Sequence, residues 1–478
     1  MKRLMPKFLW VVVNSKTTKM INEKSIKESL EKSVTEYLND EYAAYGMYTI
    51  ENRAIPSVID GFKPTQRKII HVANKVWKSG SEKPIKVFQL GGRIAADAHY
   101  HHGDASLNAA IVGMAQSFKN SLPLLDEIGQ FGSLRSPESG APRYISTKIN
   151  SNFRLIYKDF DLVESQWEEG HEIEPKFFLP IIPTVLLNGS SGIAVGFATN
   201  IMNRNPIDLI DASLKVLEGK KFVEPLPWWR DFNGTVKKVD GSDSSFQISG
   251  MCQIKDTTTV EITELPPSMT YLKYENLLNT WVEKGWIQNY DDNCTRNINY
   301  SIKFSRAQLQ ECIKKDNLIQ FLKLNEGESE NLTCLDENGK LIIFDNVNDL
   351  IRYFVNFRLT YYDKRKTFQL NKLEERNVFL SNRARFIKSI IDGKLKVNNR
   401  PKADIVTDLE KMKFDKVEGS FTYLLSMPIH SLTKENYEAL LNEVEENKKE
   451  IEKISKLKPI DMYKTDLKDL KKKLETSK

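Results

Sequence analysis

Arg143-Tyr144 lies in a loop between small residues, directly after Ala141-Pro142. A tyrosine in that setting is usually only a tyrosine. Against a phosphodiester, however, the pair has a definite chemistry. A phenolate is a competent nucleophile once its ordinary pKa of about 10 is offset. It is also a good leaving group, so a phosphotyrosyl ester can be reversed without external energy. The neighbouring guanidinium would stabilise charge on the phosphate oxygens in the transition state. A second cluster is His99, His101 and His102 before Gly103, half of the six histidines in the chain. The H-x-H-H spacing lacks the acidic or cysteine partners of a zinc site, so a structural or phosphate-contacting role fits better than a metal. A third is the glycine-rich run Asn188 to Gly196. It is neither a Walker loop nor a dinucleotide fingerprint, and no Walker motif occurs elsewhere, so ATP binding by this chain alone is not expected. Its Gly-flanked Ile193 is either ordinary core or an apolar wedge offered to stacked bases.

These residues need a scaffold. The chain has 478 residues, enough for about three domains. With 28% charged and 40% hydrophobic residues it is an ordinary soluble mixture, which excludes collagen-like, disordered and membrane classes. Lys+Arg 70 against Asp+Glu 64 leaves only +6, so an anionic partner must meet a local patch. Residues 53–93 supply one, with nine Lys/Arg against Asp60 and Glu82, 9 − 2 = +7. Four cysteines without a CxxC pair argue against a disulfide or zinc scaffold and for a reducing cytoplasm. The apolar run Phe8 to Val13 is too short for a signal core or a membrane span and reads as a small extension or buried strand.

Apolar spacing predicts a helix over 20–50, broken before Pro56, and a second starting at Lys63-Pro64 with Arg67 and Lys68 on it. Leu107, Ile111, Met114 and Phe118 predict a helix over 103–118, with Asp104 as its N-cap. Short helices followed by Gly-rich loops suggest a helix-turn-helix or winged-helix core. From about 230 to 345 the pattern turns to strands, with turns at Asp240-Gly241 and Asn338-Gly339. After 348 it is almost wholly helical. Leu350, Phe354, Phe357 and Tyr361 open one long amphipathic series, and Tyr437, Leu441, Val444 and Ile451 a second. Two such helices separated by about 60 residues suggest an antiparallel coiled coil with a small globule at its far end. Residues 435–453 carry seven Glu against three Lys, so that end should avoid DNA.

Taken in order, the segments resemble the DNA-cleavage subunit of type IIA topoisomerases. Arg53-Ala54-Ile55-Pro56, Asp60-Gly61-Phe62-Lys63-Pro64, Gln66-Arg67-Lys68, Tyr100-His101-His102-Gly103, Gly129-Gln130-Phe131-Gly132-Ser133, Ala141-Pro142-Arg143-Tyr144 and Asn188 to Gly196 match its motifs at compatible spacing. The likeness runs from near Tyr42 to the end, about nine-tenths of the chain. Within the family it is strongest to the separate medium subunit of T-even-type phage topoisomerases.

The resemblance implies an α+β multidomain fold. An N-terminal extension or arm would occupy residues 1–35 and a winged-helix DNA-cleavage domain 36–170. An α/β tower domain would follow at 171–347, then a long antiparallel coiled coil with a terminal helical gate at 348–478. It implies that Tyr144 attacks a DNA phosphate and stays on the 5′ end, assisted by Arg143 and His102. Arg53, Lys63, Arg67, Lys68, His101 and Ser133 would contact the duplex, which would account for the local +7. Ile193 would insert between base pairs and bend it, at a deformation cost of order 1–6 kcal/mol. A homodimer joined through the winged-helix domain and the gate would cut both strands of double-stranded DNA.

Nothing in this chain matches the family's ATPase signature or the acidic D-x-D cluster with which the family holds Mg2+; Asp291-Asp292 has the wrong context. No metal site is therefore expected in it, and Mg2+ and ATP fall to a separate large subunit. Ala105 and Ala109 stand where gyrase-type relatives carry a Ser and an acidic residue that support quinolones, which predicts poor sensitivity. The chain stops after the coiled coil, so a DNA-wrapping domain is not expected. No membrane partner is expected, and a phage origin would place the protein in the bacterial host cytoplasm. The competing reading is a non-catalytic dimeric DNA-binding scaffold. It explains the basic patch and the heptads but not the position of Arg143-Tyr144. A tyrosine recombinase would need an Arg/His/Arg set around a C-terminal tyrosine, which is not visible.

Overall fold

The computed structural model describes residues 33–78, 83–295, 297–417 and 419–476. The expected strand Phe8 to Val13 and nearly all of the expected 1–35 extension lie outside them. Helical backbone runs through 34–54, and Ile55 is extended before Pro56, as the proline dictates.

The first body is built on three helices. Helix α1, Pro64–Val76, starts with Pro64 at its first position and buries Ile69, Ile70, Val72 and Ala73. Helix α2, Val87–Asp97, buries Val87, Leu90 and Ile94. Helix α3, Asp104–Ala115, buries Leu107, Ile111 and Met114, the expected apolar face. Two details differ. Gly103 is the N-cap and Asp104 the first helical residue, where its charge still favours the helix dipole. The helix also ends before Phe118, because Gln116 leaves helical backbone. A hairpin of β1, Ser165–Glu168, and β2, His171–Pro175, packs beside α1, the wing of the expected core.

The expected boundary at 170/171 does not hold. Ile181, Val185, Leu187, Leu209, Ile210 and Leu217 belong to the same core as α1–α3, because the chain returns across them before leaving. That stretch carries a second hairpin, β3, Ser190–Ile193, and β4, Ala198–Ile201. It is followed by helix α4, Pro206–Leu217.

The strand-rich region has its own core. Strands β5, Thr235–Lys238, and β6, Ser245–Ser249, join at Gly241, whose φ of 79° suits the expected turn. Strands β7, Met251–Ile254, β8, Thr259–Glu264, β9, Asn289–Asp292, and β10, Tyr300–Lys303, form an antiparallel sheet in the order β7-β8-β10-β9. Val260, Ile262, Tyr300 and Ile302 point inward at period two onto helix α5, Tyr271–Glu283, through Tyr274 and Leu278. Strand β11, Asn325–Ser329, pairs with β6.

Helix α6, Val347–Ile391, then runs for 45 residues. Helix α7, Lys402–Lys411, belongs to a small globule cored by Phe386, Leu409, Phe414 and Phe421. Helix α8, Lys434–Lys456, lies antiparallel to α6. Asn447 Nδ2 donates to Leu373 O at 2.8 Å, and Lys366 Nζ to Ser455 O at 2.8 Å.

The last helix, α9, Pro459–Thr476, does not extend this pair. Leu457 is extended and Pro459 starts a new helix that returns to the first core, burying Tyr463, Leu467 and Leu470. Residues 348–478 are therefore not one unit. At the base of α6 the buried stripe continues from Leu350 and Phe354 through Arg358, Tyr362 and Arg365. Asp159 Oδ2 accepts from Arg358 at 2.5 Å and from Arg365 at 2.6 Å. Asp466 accepts from Arg365 and the Tyr362 hydroxyl at 2.7 Å each, and from Lys158 at 2.8 Å. Tyr362 stacks on Tyr463, ring centroids 4.4 Å apart.

Candidate active site

Tyr144 ends a tight turn. Its N–H donates to Ala141 O at 2.9 Å, and its carbonyl accepts from Lys86 Nζ at 2.8 Å. The turn is pinned to the start of α2, where Val87 N donates to Ile145 O at 3.1 Å and Phe88 N to Pro142 O at 3.2 Å. The backbone is thus fixed while the phenol is not covered: Tyr144 is 73% exposed. Arg143 sits with its guanidinium carbon 5.9 Å from the Tyr144 ring centroid. Among the described residues the phenol oxygen makes no hydrogen bond. An open cleft of about 790 Å³ adjoins the turn, lined by Phe88, Asp104, Ala105, Ala109 and Arg143 among others.

The preceding loop explains its glycines. Gly132 has φ 92°, and a Cβ there would lie 2.5 Å from Pro137 O, so no other residue fits. Phe131 is buried, its carbonyl accepting from Gln116 Nε2 at 2.6 Å. Ser133 accepts from Ser136 N at 3.3 Å, which folds the loop on itself.

His102 lies on a different element. Its Nε2 is 3.1 Å from the Tyr48 hydroxyl, and its ring meets Tyr100 edge-on at 5.4 Å. No hydrogen bond joins it to Arg143 or Tyr144. Sequence alone does not mark Tyr48, because nothing in a helical stretch signals a partner 54 residues away. His101 lies 3.9 Å from Glu168 of the wing.

Ile193 stands at the tip of the β3–β4 hairpin and is 88% exposed, which decides between core and wedge in favour of the projecting residue. The hairpin is anchored behind it. A Cβ on Gly192 would lie 2.2 Å from Ala54 O, and Lys63 Nζ donates to Ser191 O at 2.6 Å. With Gly192 pressed on backbone, this glycine run is not a phosphate cradle.

The basic patch needs a correction. Arg53 is exposed, but Arg67 is buried and gives a two-bond pair to Asp60, at 2.7 and 3.0 Å. Lys68 Nζ donates to Ala98 O at 2.6 Å and pairs with Glu174 at 2.9 Å. Both cations therefore hold the core together instead of lining a duplex. The +7 excess, which already counts Asp60, does not all face outward, because Glu174 takes up the Lys68 charge.

A divalent cation does not fit the tyrosine turn from this chain alone. The groups against it are Lys86 and Arg143, both cationic, and one carboxylate, Asp104, lines the cleft. Mg2+ prefers an oxygen cage. Asp292 is not free for that work either, since it accepts from Arg135 at 2.9 Å.

The fold holds this Arg-Tyr turn rigid in its backbone and open at its phenol. The sequence pattern of the DNA gyrase/topoisomerase IV A-subunit family matches residues 53–470. The chain belongs to that family, the cleavage subunits of type IIA topoisomerases. It is 35% identical to the DNA topoisomerase medium subunit of Enterobacteria phage T4 over 439 residues, covering 91% of this chain and 98% of that subunit. It is also 35% identical to the mitochondrial DNA topoisomerase 2 of Dictyostelium discoideum over 458 residues, but spans only 35% of that protein. Its structure is similar to the topoisomerase II DNA-binding, cleavage and re-ligation domain of Plasmodium falciparum. That likeness has a TM-score of 0.83 and 32% identity, and covers 92% of this chain and 64% of the other.

Proposed function

We propose that this chain is the breakage–reunion subunit of an ATP-dependent type II DNA topoisomerase that acts with a companion subunit. The Tyr144 oxygen attacks a backbone phosphorus and loses its proton. The bond to the 3′ oxygen breaks, that oxygen departs as a hydroxyl that takes up the proton, and the 5′ end stays on the tyrosine. Religation runs the same exchange backwards, so the energy of the phosphodiester is conserved. Arg143 faces the developing negative charge. His102, steadied by Tyr48, contacts the same phosphate. Arg53, Lys63, His101 and Ser133 meet the backbone, and Ile193 wedges the stack and bends the duplex.

Two copies, joined near the cleft and at the far globule of a coiled coil, cut opposite strands. That globule is the terminal gate. A companion chain supplies Mg2+ and ATP: the groups at the turn are cationic and unsuited to Mg2+, and the sequence shows no Walker motif. The phage relative supports such a split and a working place in a bacterial host cytoplasm. Among the described residues no helix is long and apolar enough to cross a membrane.

The observation that carries this reading is the turn itself, rigid in its backbone and open at its phenol. The test is to reconstitute both subunits with Mg2+ and duplex DNA, trap with denaturant, and map the DNA-bearing peptide. The expected residue is Tyr144. Linkage elsewhere overturns the assignment, and unchanged strand passage by Tyr144→Phe would leave only a scaffold.

A further inference from the structure

The fold supplies what the histidine run lacks in sequence, an acidic partner. His99 and His101 follow α2, and Glu168 ends β1 of the wing. One ligand atom from each lies within 4.8 Å of the others. His101 Nε2 is 3.9 Å from Glu168 Oε1. The His99 and His101 rings are 6.3 Å apart at a steep angle, and the His171 ring of β2 lies 5.3 Å from His99. His99 and Glu168 are half-buried and His101 is exposed, so the cluster has a formed floor and an open side.

We propose that His99, His101 and Glu168 bind a first-row transition ion of the Zn2+ type, with His171 or water as the fourth ligand. Two imidazoles and one carboxylate are the donor set such an ion prefers, unlike the oxygen cage of Mg2+. Zinc holds nitrogen and oxygen at about 2.0–2.2 Å. Closing the present gaps needs shifts of about 1 Å in side chains with room to move. The ion ties the 99–102 loop to the wing and draws His101 away from DNA. It leaves His102 with Tyr48, beside a loop that now has two states. This site is separate from the divalent cation that cleavage needs.

The test uses the full metal-free chain, titrated with Zn2+ by calorimetry and with Co2+ by visible absorption. One equivalent should bind with micromolar or tighter affinity, and exchange of amides in 99–102 and 165–172 should slow. His99→Asn and Glu168→Gln should each weaken binding by about tenfold or more, with melting unchanged without metal. If His99→Asn melts early, Glu168→Gln on the open hairpin decides alone. Binding undiminished in these variants, binding lost only in Cys252→Ser or Cys312→Ser, or no uptake below millimolar Zn2+ overturns the proposal.

Discussion

The tyrosine turn and the base of α6 use charge in opposite ways. At the base, Asp159 and Asp466 take up Arg358, Arg365 and Lys158 in a buried network stacked against Tyr362 and Tyr463. At the turn, Arg143 and Tyr144 stand open with backbone anchors only. A buried network whose ions pair with one another fixes a joint and offers a ligand little, even though Arg358 Nη1 and Arg365 Nε lack hydrogen-bond partners. An exposed pair on a fixed backbone contributes little to stability and keeps its chemistry free.

Substitutions can break that contrast. Tyr144→Phe should lower covalent DNA linkage and strand passage by roughly 10⁴-fold or more, with an unchanged melting curve. Asp159→Ala should do the reverse. Leaving Arg358 without a carboxylate, and Arg365 with Asp466 alone, costs about 3–5 kcal/mol, measured by denaturant unfolding, while Tyr144 stays as exposed as before.

His71 adds a pH term to the buried side. Burial, with Lys75 and Lys68 nearby and Glu172 opposing, lowers its pKa to about 4. The unfolded chain, titrating near about 6.5, takes the proton first. Stability is therefore complete above about 6.5 and declines by at most about 3 kcal/mol as pH falls towards about 4. His71→Phe should flatten that limb in unfolding curves taken across pH.

On the exposed side, Ile193→Ala should reduce the DNA bend, read by energy transfer between duplex ends, and slow cleavage by about tenfold. That corresponds to the low end of the usual deformation cost. The smallest effect separates the two uses of the basic segment. Arg53→Gln should lower the salt slope of DNA binding by about one, whereas Lys68→Gln should leave that slope alone and cost stability.

Much of this was legible from sequence because local rules carried it. Pro64 starts α1, period two marks β8 and β10, and the Arg143-Tyr144 motif sits in its turn. What was not legible depended on distant pairing. Arg67 and Lys68 read as a cationic face because Asp60 looks like a turn residue and Glu174 lies far along the chain. The boundary at 170 failed because nothing local in the apolar run from Ile181 to Leu187 tells which core it joins. The return of α9 was hidden because its spacing resembles that of α8. Glu168 escaped notice because the wing reaches the histidines only in three dimensions.

The return of α9 has a mechanical consequence. Both ends of the α6–α8 pair are strapped to one body, α6 through its own root and α8 through the helix that follows it. The pair thus behaves as a lever rather than a tether. With 45 residues at about 1.5 Å each, α6 is roughly 67 Å long, and a root rotation of roughly 5° sweeps its tip by roughly 6 Å. A small rotation at the root is thereby magnified into travel at the distant globule.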